Sequence, residues 1–384
     1  MDLLEESIVP EDARAAKQEA REFAAEHIEP NAADYYESGE YPWEILEKGM
    51  EEGLVAQTIS EEYGGRGLSL QEMLAMAEEL YKADAGIALT LQLAGFGTDI
   101  LEEHGSEEQK EEYLRPVAEN EQISGLGVSE PETGSDLAGM QTTAEKDGDE
   151  WVLNGEKYWV GNGVEGDWLT IYAKTGDDPD NRYGNYSLFI VPTDAPGYEA
   201  EHIPEKICFR ASKQAHITLD NCRIPEDHLI GVEGAGFYMV AEFFNHGRTI
   251  VAGHGLGLAA AAIEESSVFV HDREAFGRTV DQFQAVQHDL AEMRMEFESA
   301  RSLTWRAAEK VEQNNNAGYW AALAKTVATE AATACAERGM QLHGGRSVLE
   351  ENRISRVYRD ARVPVIYEGA NPIQRNLIYR QAPR

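Results

Sequence analysis

TTAEKDGDEWVLNGEKYWV, residues 142–160, is the stretch that decides the fold class. It consists of β-branched and aromatic runs separated by turn signals, with an Asp-Gly and an Asn-Gly pair between strand-like segments. Such dipeptides supply the left-handed backbone of a tight hairpin turn, so strands are predicted here. Downstream, WLTIYAKT (168–175), YSLFIVP (186–192) and AHITLDNCRIP (215–225) read as further strands. Several short strands with no helix between them predict a compact antiparallel barrel or sandwich over residues 123–232.

On either side of this block the pattern is helical. EDARAAKQEAREFAAEHIEP (11–30) has apolar residues at helical spacing and stops at Pro30. LSLQEMLAMAEELYKADAG (68–86) opens with Ser69 three residues before Glu72, a capping-box pattern. It presents Leu70, Leu74, Ala77 and Leu80 on one face. From Gly236 the helical period returns: Val286, Leu290, Met293, Phe297, Ala300, Thr304 and Val311 form a stripe suited to a bundle. AGYWAALAKTVATEAATACAERGM (317–340) is a second long helix, ended by Gly339 or Gly344. The predicted organisation is an N-terminal helical domain (1–122), the middle β domain (123–232) and a C-terminal four-helix bundle (233–384). There is no internal repeat and no GxGxxG strand-turn-helix unit, so a Rossmann domain is not expected.

Composition narrows the partners. The 384 residues include 70 Asp and Glu against 33 Lys and Arg, a formal net charge of −37. A body this acidic repels nucleic acid and anionic membrane. The charge is spread along the chain (EESIVPED, SEEQKEEY, EKDGDEW), as a solvated surface requires. It would repel any polyanionic ligand in dilute buffer, and at molar salt a Debye length of about 3 Å screens that repulsion. A salt-rich cytoplasm is therefore expected. No apolar run reaches the ~18 residues of a membrane span. The opening MDLLEESIVPEDARAAK lacks the basic and apolar regions of a signal peptide, which again points to a cytoplasmic address. Cys208, Cys222 and Cys335 form no CxxC pair, and the ten histidines show no metal spacing, so no metal site is expected.

Five segments can carry chemistry. LGVSEPETGSDLAGM (126–140) is a loop of small and hydroxyl residues able to present N–H groups to a polar ligand. WVGNG (159–163) sets Trp159 before a glycine turn, where an aromatic serves either the core or a ring-stacking platform. DREAFGR (272–278) puts Arg273 and Phe276 near a helix end, as a phosphate fork or a solvated charge. QLHGG (341–345) ends a helix with paired glycines that let a ligand or backbone come close. In VPVIYEGANPIQRNLIYR (363–380), Glu368 follows Val363, Val365, Ile366 and Tyr367. A carboxylate in apolar surroundings has its charged form disfavoured and its pKa raised towards that of a general base. Read from the segment alone, Glu368 is either such a base or a turn-capping glutamate.

Taken together and in order, these segments resemble the acyl-CoA dehydrogenase family over essentially the whole chain. GVSEPETGSD is similar to the family's first signature, and AERGMQLHGGRSVLEENRISRVYRDARVPVIYEGANPIQR to its second. The resemblance implies the three domains above, a homotetramer built as a dimer of dimers, and FAD as cofactor. It implies α,β-dehydrogenation of an acyl-CoA thioester, in fatty-acid β-oxidation or branched-chain amino-acid breakdown. Glu368 falls on the catalytic base, hydride passes from Cβ to flavin N5, and electrons go on to an electron-transfer flavoprotein. Leu126, Val128, Ser129, Gly134 and Ser135 match the flavin loop, with Ser135 also reaching CoA, and Trp159 and Gly161 match residues beside the isoalloxazine. Arg273, Phe276, Gln284, Gln341, Gly344 and Gly345 match residues that hold the FAD nucleotide of a neighbouring subunit. Asn245, Arg248, Gly369 and Arg380 match contacts to the thioester ligand.

Some positions depart from the pattern. Ala370 and Pro372 stand at flavin-contacting positions where the family commonly has Thr and a polar residue. His216 replaces a usual acidic residue. Some branched-chain members carry the base beside the position of Arg248, and Gly247 cannot serve as one. An acyl-CoA oxidase, or another flavin oxidase or monooxygenase on the same fold, is the alternative activity. The acyl chain length is not legible.

Overall fold

The computed structural model describes residues 8–383. Residues 1–7, within the stretch read for a targeting signal, lie outside the described part. The N-terminal helices include α1 (Glu11–Phe23), α2 (Leu70–Ala83), α3 (Ala85–Leu93) and α4 (Thr98–His104). The α2 helix starts with the capping box: Ser69 accepts the Glu72 N–H and the Glu72 carboxylate accepts the Ser69 N–H. Asp84 then caps α3 through the Gly86 and Ile87 N–H groups. Buried Lys17 on α1 pairs with Glu78 on α2 at 2.8 Å, and Arg301 meets the same carboxylate at 2.8 Å from the C-terminal domain.

The middle domain is one eight-stranded sheet. Its strands are β1 (Ser124–Gly127), β2 (Thr143–Asp147), β3 (Glu150–Gly161), β4 (Trp168–Lys174), β5 (Tyr186–Pro192), β6 (Tyr198–His202), β7 (Gln214–Pro225) and β8 (Leu229–Ile230). The order is β6-β7-β3-β2-β4-β5-β8, with β1 beside β4. Trp151 of β3 meets Phe189 of β5 edge-on at 5.1 Å although those strands are not neighbours, so the sheet curls around one core. The opposite face of β4 and β5 (Trp168, Tyr172, Tyr186, Leu188) packs with Tyr113, Leu114 and Val117 of the N-terminal domain and Met239 and Val240 of the C-terminal one. Both faces of these strands are covered, which is why WLTIYA reads as a continuous apolar run.

Two sequence expectations for this domain are corrected. The sheet is not wholly antiparallel, because β1 runs parallel to β4 and Thr143 of β2 pairs with Lys174 in parallel. Asp147-Gly148 does form the hairpin turn, with Asp147 facing Glu150, but Asn154-Gly155 does not turn. Gly155 (φ +143°) sits at a register shift inside β3. A Cβ there would lie 2.7 Å from the Thr142 backbone, so this glycine permits a bulge under a close strand.

The C-terminal domain is helical: α5 (Gly236–Asp272), α6 (Gln284–Glu312), α7 (Ala317–His343), α8 (Arg353–Asp360) and α9 (Asn371–Gln381). Gly344 ends α7, whereas Gly339 is inside the helix and buried. The α5 helix crosses α7 so closely that a Cβ on Gly255 would lie 2.7 Å from the Ala328 carbonyl. Enlarging it would cost about 1–3 kcal/mol or more through forced backbone shifts. This contact sets the spacing of the two helices that bracket the site. Among the described residues no helix is long and apolar enough to cross a membrane.

Candidate active site

The segment between α8 and α9 carries Glu368. Val365 is buried and Tyr367 packs against the core, its hydroxyl bonded to His254 Nδ1 of α5. The chain then turns on two successive left-handed residues, Glu368 (φ +52°) and Gly369 (φ +84°). A non-glycine residue in that region is strained by roughly 1–2 kcal/mol and needs external restraint. The restraint is visible: the Gly369 carbonyl accepts from Lys325 Nζ of α7 at 2.9 Å and from Gln374 Nε2 of α9 at 2.8 Å.

The turn lays the Glu368 carboxylate against α5. Its Oε2 would stand 3.1 Å from a Cβ on Gly247, so a side chain there would crowd the carboxylate. That oxygen is buried and has no hydrogen-bond partner among the described residues. Burial pushes the Glu368 carboxyl up to about 7, against the lowering pull of Arg248 and Lys325. Arg248 Nη1 donates to Asn245 Oδ1 at 3.2 Å, while its Nε is also buried and unpartnered. Among the described residues the Glu368 N–H makes no backbone hydrogen bond. Thus, among the described residues, a carboxylate oxygen and a guanidinium nitrogen are left without partners beside the same turn. Native proteins rarely leave such groups without a role. A cavity of about 220 Å³ reaches Asn245, and its walls include Asp99, Glu103, Glu242 and Glu312.

The other expected residues fall into two further groups. In the first, Leu126 and Val128 have their side chains in a hydrophobic core, leaving backbone as what they can offer a ligand. Ser129 is half-buried, and Gly134 and Ser135 are exposed on the loop beyond it. Buried Glu130 pins this loop by accepting Lys157 Nζ at 2.9 Å together with the Gln141 and Thr142 N–H groups. Trp159 (φ +66°) sits at a second register shift of β3 and is 60% exposed, which rules out the core role its segment allowed. Gly161 is half-buried beside Leu93.

In the second group, Arg273 caps α5 and Phe276 tips a short hairpin, β9 (Glu274–Ala275) with β10 (Arg278–Thr279), at 96% exposure. Gln284 begins α6, and Gln341, Gly344 and Gly345 end α7, all exposed. Phe269 stacks on His343 at 4.2 Å, so these two helix ends adjoin. From Gly247 to Asp272, α5 runs roughly 38 Å, so this edge lies far from Glu368 of its own chain. Gly369 lies in the turn, Ala370 precedes α9, Pro372 occupies its first turn, and Arg380 is exposed at its end.

The residues present fit FAD. Trp159 offers an exposed ring, the 129–135 loop offers small side chains, and around Gly344 and Gly345 an added Cβ would meet nothing within 4 Å. Sequence reasoning missed Lys325 and the Glu130–Lys157 pair. The one signal for Lys325 was a lone lysine within the Ala-rich run of α7. Glu103, His104 and Glu242 also bring ligating atoms within 4.8 Å of one another, with both glutamates exposed.

Residues 10–121, 125–222 and 234–382 match the N-terminal, middle and C-terminal domains of acyl-CoA dehydrogenases. The bovine mitochondrial short-chain specific acyl-CoA dehydrogenase is 35% identical over 372 residues, covering 96% of this chain and 90% of that protein. The butyryl-CoA dehydrogenase structure from Megasphaera elsdenii has a TM-score of 0.93 at 29% identity, covering 98% of this chain and 99% of that one. A chain from a structure described as the electron transferring flavoprotein of Acidaminococcus fermentans has a TM-score of 0.94 at 32% identity, covering all of both chains. On its three matched domains, its site geometry and these relatives, the chain belongs to the acyl-CoA dehydrogenase family of oxidoreductases.

Proposed function

We propose that Glu368 removes the α-proton of an acyl-CoA thioester, giving the trans-2-enoyl-CoA. The observation that carries this is the buried, unpartnered Oε2 of Glu368 against Gly247. Burial raises the carboxyl to about 7, so near neutral pH a large share is ionised and, being poorly solvated, is a stronger base than an ordinary carboxylate. The Glu368 N–H, which has no backbone partner among the described residues, donates in this reading to the thioester oxygen as enolate charge develops. Arg248 and Asn245 orient the ligand at the mouth of the turn. Bound FAD supplies the acceptor for the hydride leaving Cβ. The Trp159 side of the site then shields the reacting carbons from water.

The separation along α5 supports a shared site, in which Arg273, Phe276, Gln284, Gln341, Gly344 and Gly345 serve the flavin of a neighbouring copy in a tetramer. Names among the relatives make butyryl-CoA the first thioester to test and an electron-transfer flavoprotein the first electron acceptor. The experiment is anaerobic addition of acyl-CoA thioesters of increasing length to the FAD-loaded protein. Bleaching of the flavin band with enoyl-CoA formation supports the reading, and an unbleached flavin with every thioester removes it. Hydrogen peroxide formed in step with enoyl-CoA in air would mark an oxidase instead.

The acidic cavity walls and the −37 net charge support a salt requirement. Screening should lower KM for the polyanionic CoA ligand and hold like-charged subunits together. Dilution to ~0.1 M salt should dissociate the oligomer and release FAD, seen by light scattering and flavin fluorescence. A flavin-loaded active oligomer persisting there would refute the salt adaptation and leave the activity untouched.

A further inference from the structure

Lys325 is 0% exposed, within α7 and on a face shared with Ala321, Ala322, Ala328 and Thr329. A methionine or leucine would fill that space without the desolvation of an ammonium. Among the described residues no carboxylate forms an ion pair with it; its two donations go to neutral acceptors, Gly369 O and Asn371 Oδ1, each at 2.9 Å. Asn371 is locked with its oxygen towards Lys325, because its amide donates to Thr329 Oγ1 at 3.0 Å and to Glu330 Oε1 at 3.2 Å. Lys325 thus grips the two residues at the exit of the left-handed turn whose entrance is Glu368.

We propose that Lys325 is a positioning residue for the proton abstraction: it clamps the Gly369 carbonyl so that the Glu368 carboxylate stays against Gly247, and holds a positive charge behind that carboxylate. This rests on the reading of Glu368 as the base. The charged and titratable groups that face Lys325 are Glu368 from the turn, Arg248 and His254 from α5, and Glu330 from its own helix. Of the two carboxylates Glu368 acts on it more strongly. Arg248 opposes its charge, and burial keeps His254 neutral by pushing its pKa well below the usual value. Burial also pushes Lys325 itself down to about 7, with the attraction of Glu368 working the other way. The sign follows: a nearby ammonium favours the ionised carboxylate, so removing it raises the Glu368 pKa.

The test compares Lys325→Met, Lys325→Gln and Asn371→Ala with the parent and with Glu368→Gln, each FAD-loaded. Lys325→Met should move the acid limb of the kcat–pH profile up by about one unit. At pH 7 that lowers kcat about fivefold, approaching tenfold at lower pH, with KM within about threefold and the flavin absorbance unchanged. Lys325→Gln keeps a donor for Gly369 and loses the charge, so it should show the same limb shift if the methionine variant fails to fold. Asn371→Ala keeps the charge and should lower the melting temperature with the limb in place. An unmoved limb in both lysine variants, beside an inactive Glu368→Gln, overturns the role of Lys325 alone. An active Glu368→Gln overturns the base assignment beneath it.

Discussion

The middle of α5 and α7 and the far end of the same two helices make opposite uses of one bundle. At the middle, Gly247, Arg248 and Lys325 enclose Glu368, with charged groups buried and polar atoms unsatisfied. At the far end, Arg273, Phe276, Gln341, Gly344 and Gly345 stand in solvent with nothing to enclose. The first region is poised within a single chain. The second, in the proposed tetramer, would form a site only with another subunit over it. Burial and unpaired polar atoms mark the proposed catalytic pole within one chain, whereas the surface proposed to be shared with another subunit carries no such mark.

The sharpest way to break this contrast is at the base. Glu368→Gln should retain FAD and lose about 100- to 10,000-fold in turnover, the range of general-base contributions. In the parent, activity should fall as pH drops through about 7, because the carboxylate must be ionised to accept the proton. The geometry adds a second step. Since a side chain at 247 would enter the space of the Glu368 carboxylate, Glu368→Gly combined with Gly247→Glu should regain activity over Glu368→Gly alone. Stopped-flow flavin reduction reads both. A parent-like rate in Glu368→Gln, or no gain in the double variant, would show that the enclosed pole is not where the proton leaves.

The flavin loop lies between the two extremes. It is exposed at Gly134 and Ser135 but anchored by a fully buried pair, Glu130 with Lys157. Lys157→Met leaves Glu130 as a buried charge without its cation, a change worth about 3–5 kcal/mol. Denaturant unfolding of the apoprotein measures it. A loss under about 1 kcal/mol would mean that the backbone donors to Glu130 suffice.

How far the site could be read from sequence follows the same division. The strand block around 142–160 was legible because hairpin residues and β-branched runs are local signals. The Asn154-Gly155 pair misled because a bulge and a turn both call for glycine, and only the approach of Thr142 separates them. From its apolar flank Glu368 could be read as either a base or a turn-capping residue, and its left-handed backbone and its contact with Gly247 were not legible, since they depend on a helix more than a hundred residues away in the chain. Lys325 was illegible for a related reason: in sequence it is one charge in a long helix, and its burial arises only when α5 closes over Ala328. Trp159 was ambiguous because the register shift that turns it outward leaves no sequence mark.

The exposed edge can be tested by mixing. Arg273→Ala should weaken FAD binding by about 1.5–3 kcal/mol, the value of a charge-assisted phosphate contact. Subunits carrying Arg273→Ala, dissociated and reassembled with subunits carrying Glu368→Gln, should recover activity at limiting FAD. In each mixed pair one site takes its base from one chain and its arginine from the other, both intact. About a quarter of all sites regain parental composition on random pairing. No recovery would place both residues in one chain's site, against the length of α5 between them.

The smallest effect concerns Ala370, where the family commonly has threonine. Ala370 is the residue before α9, with φ −53° and ψ 145°, and no side chain caps that helix. Pro372 in the first helical turn needs no N–H partner, so its presence there is well accommodated. A threonine at 370 has the backbone geometry of a helix cap and an oxygen to accept a first-turn N–H. Ala370→Thr should therefore stabilise the apoprotein by about 1 kcal/mol, as caps of this kind do. If the hydroxyl also reaches the flavin, FAD affinity rises in addition, by at most about tenfold for one neutral hydrogen bond. Melting of the apoprotein and FAD titration separate the two. A stabilised apoprotein with unchanged FAD affinity assigns the family's threonine to the helix. Unchanged stability with tighter FAD assigns it to the cofactor. If neither changes, the turn at Glu368 is set wholly from α7 and α9, through Lys325 and Gln374.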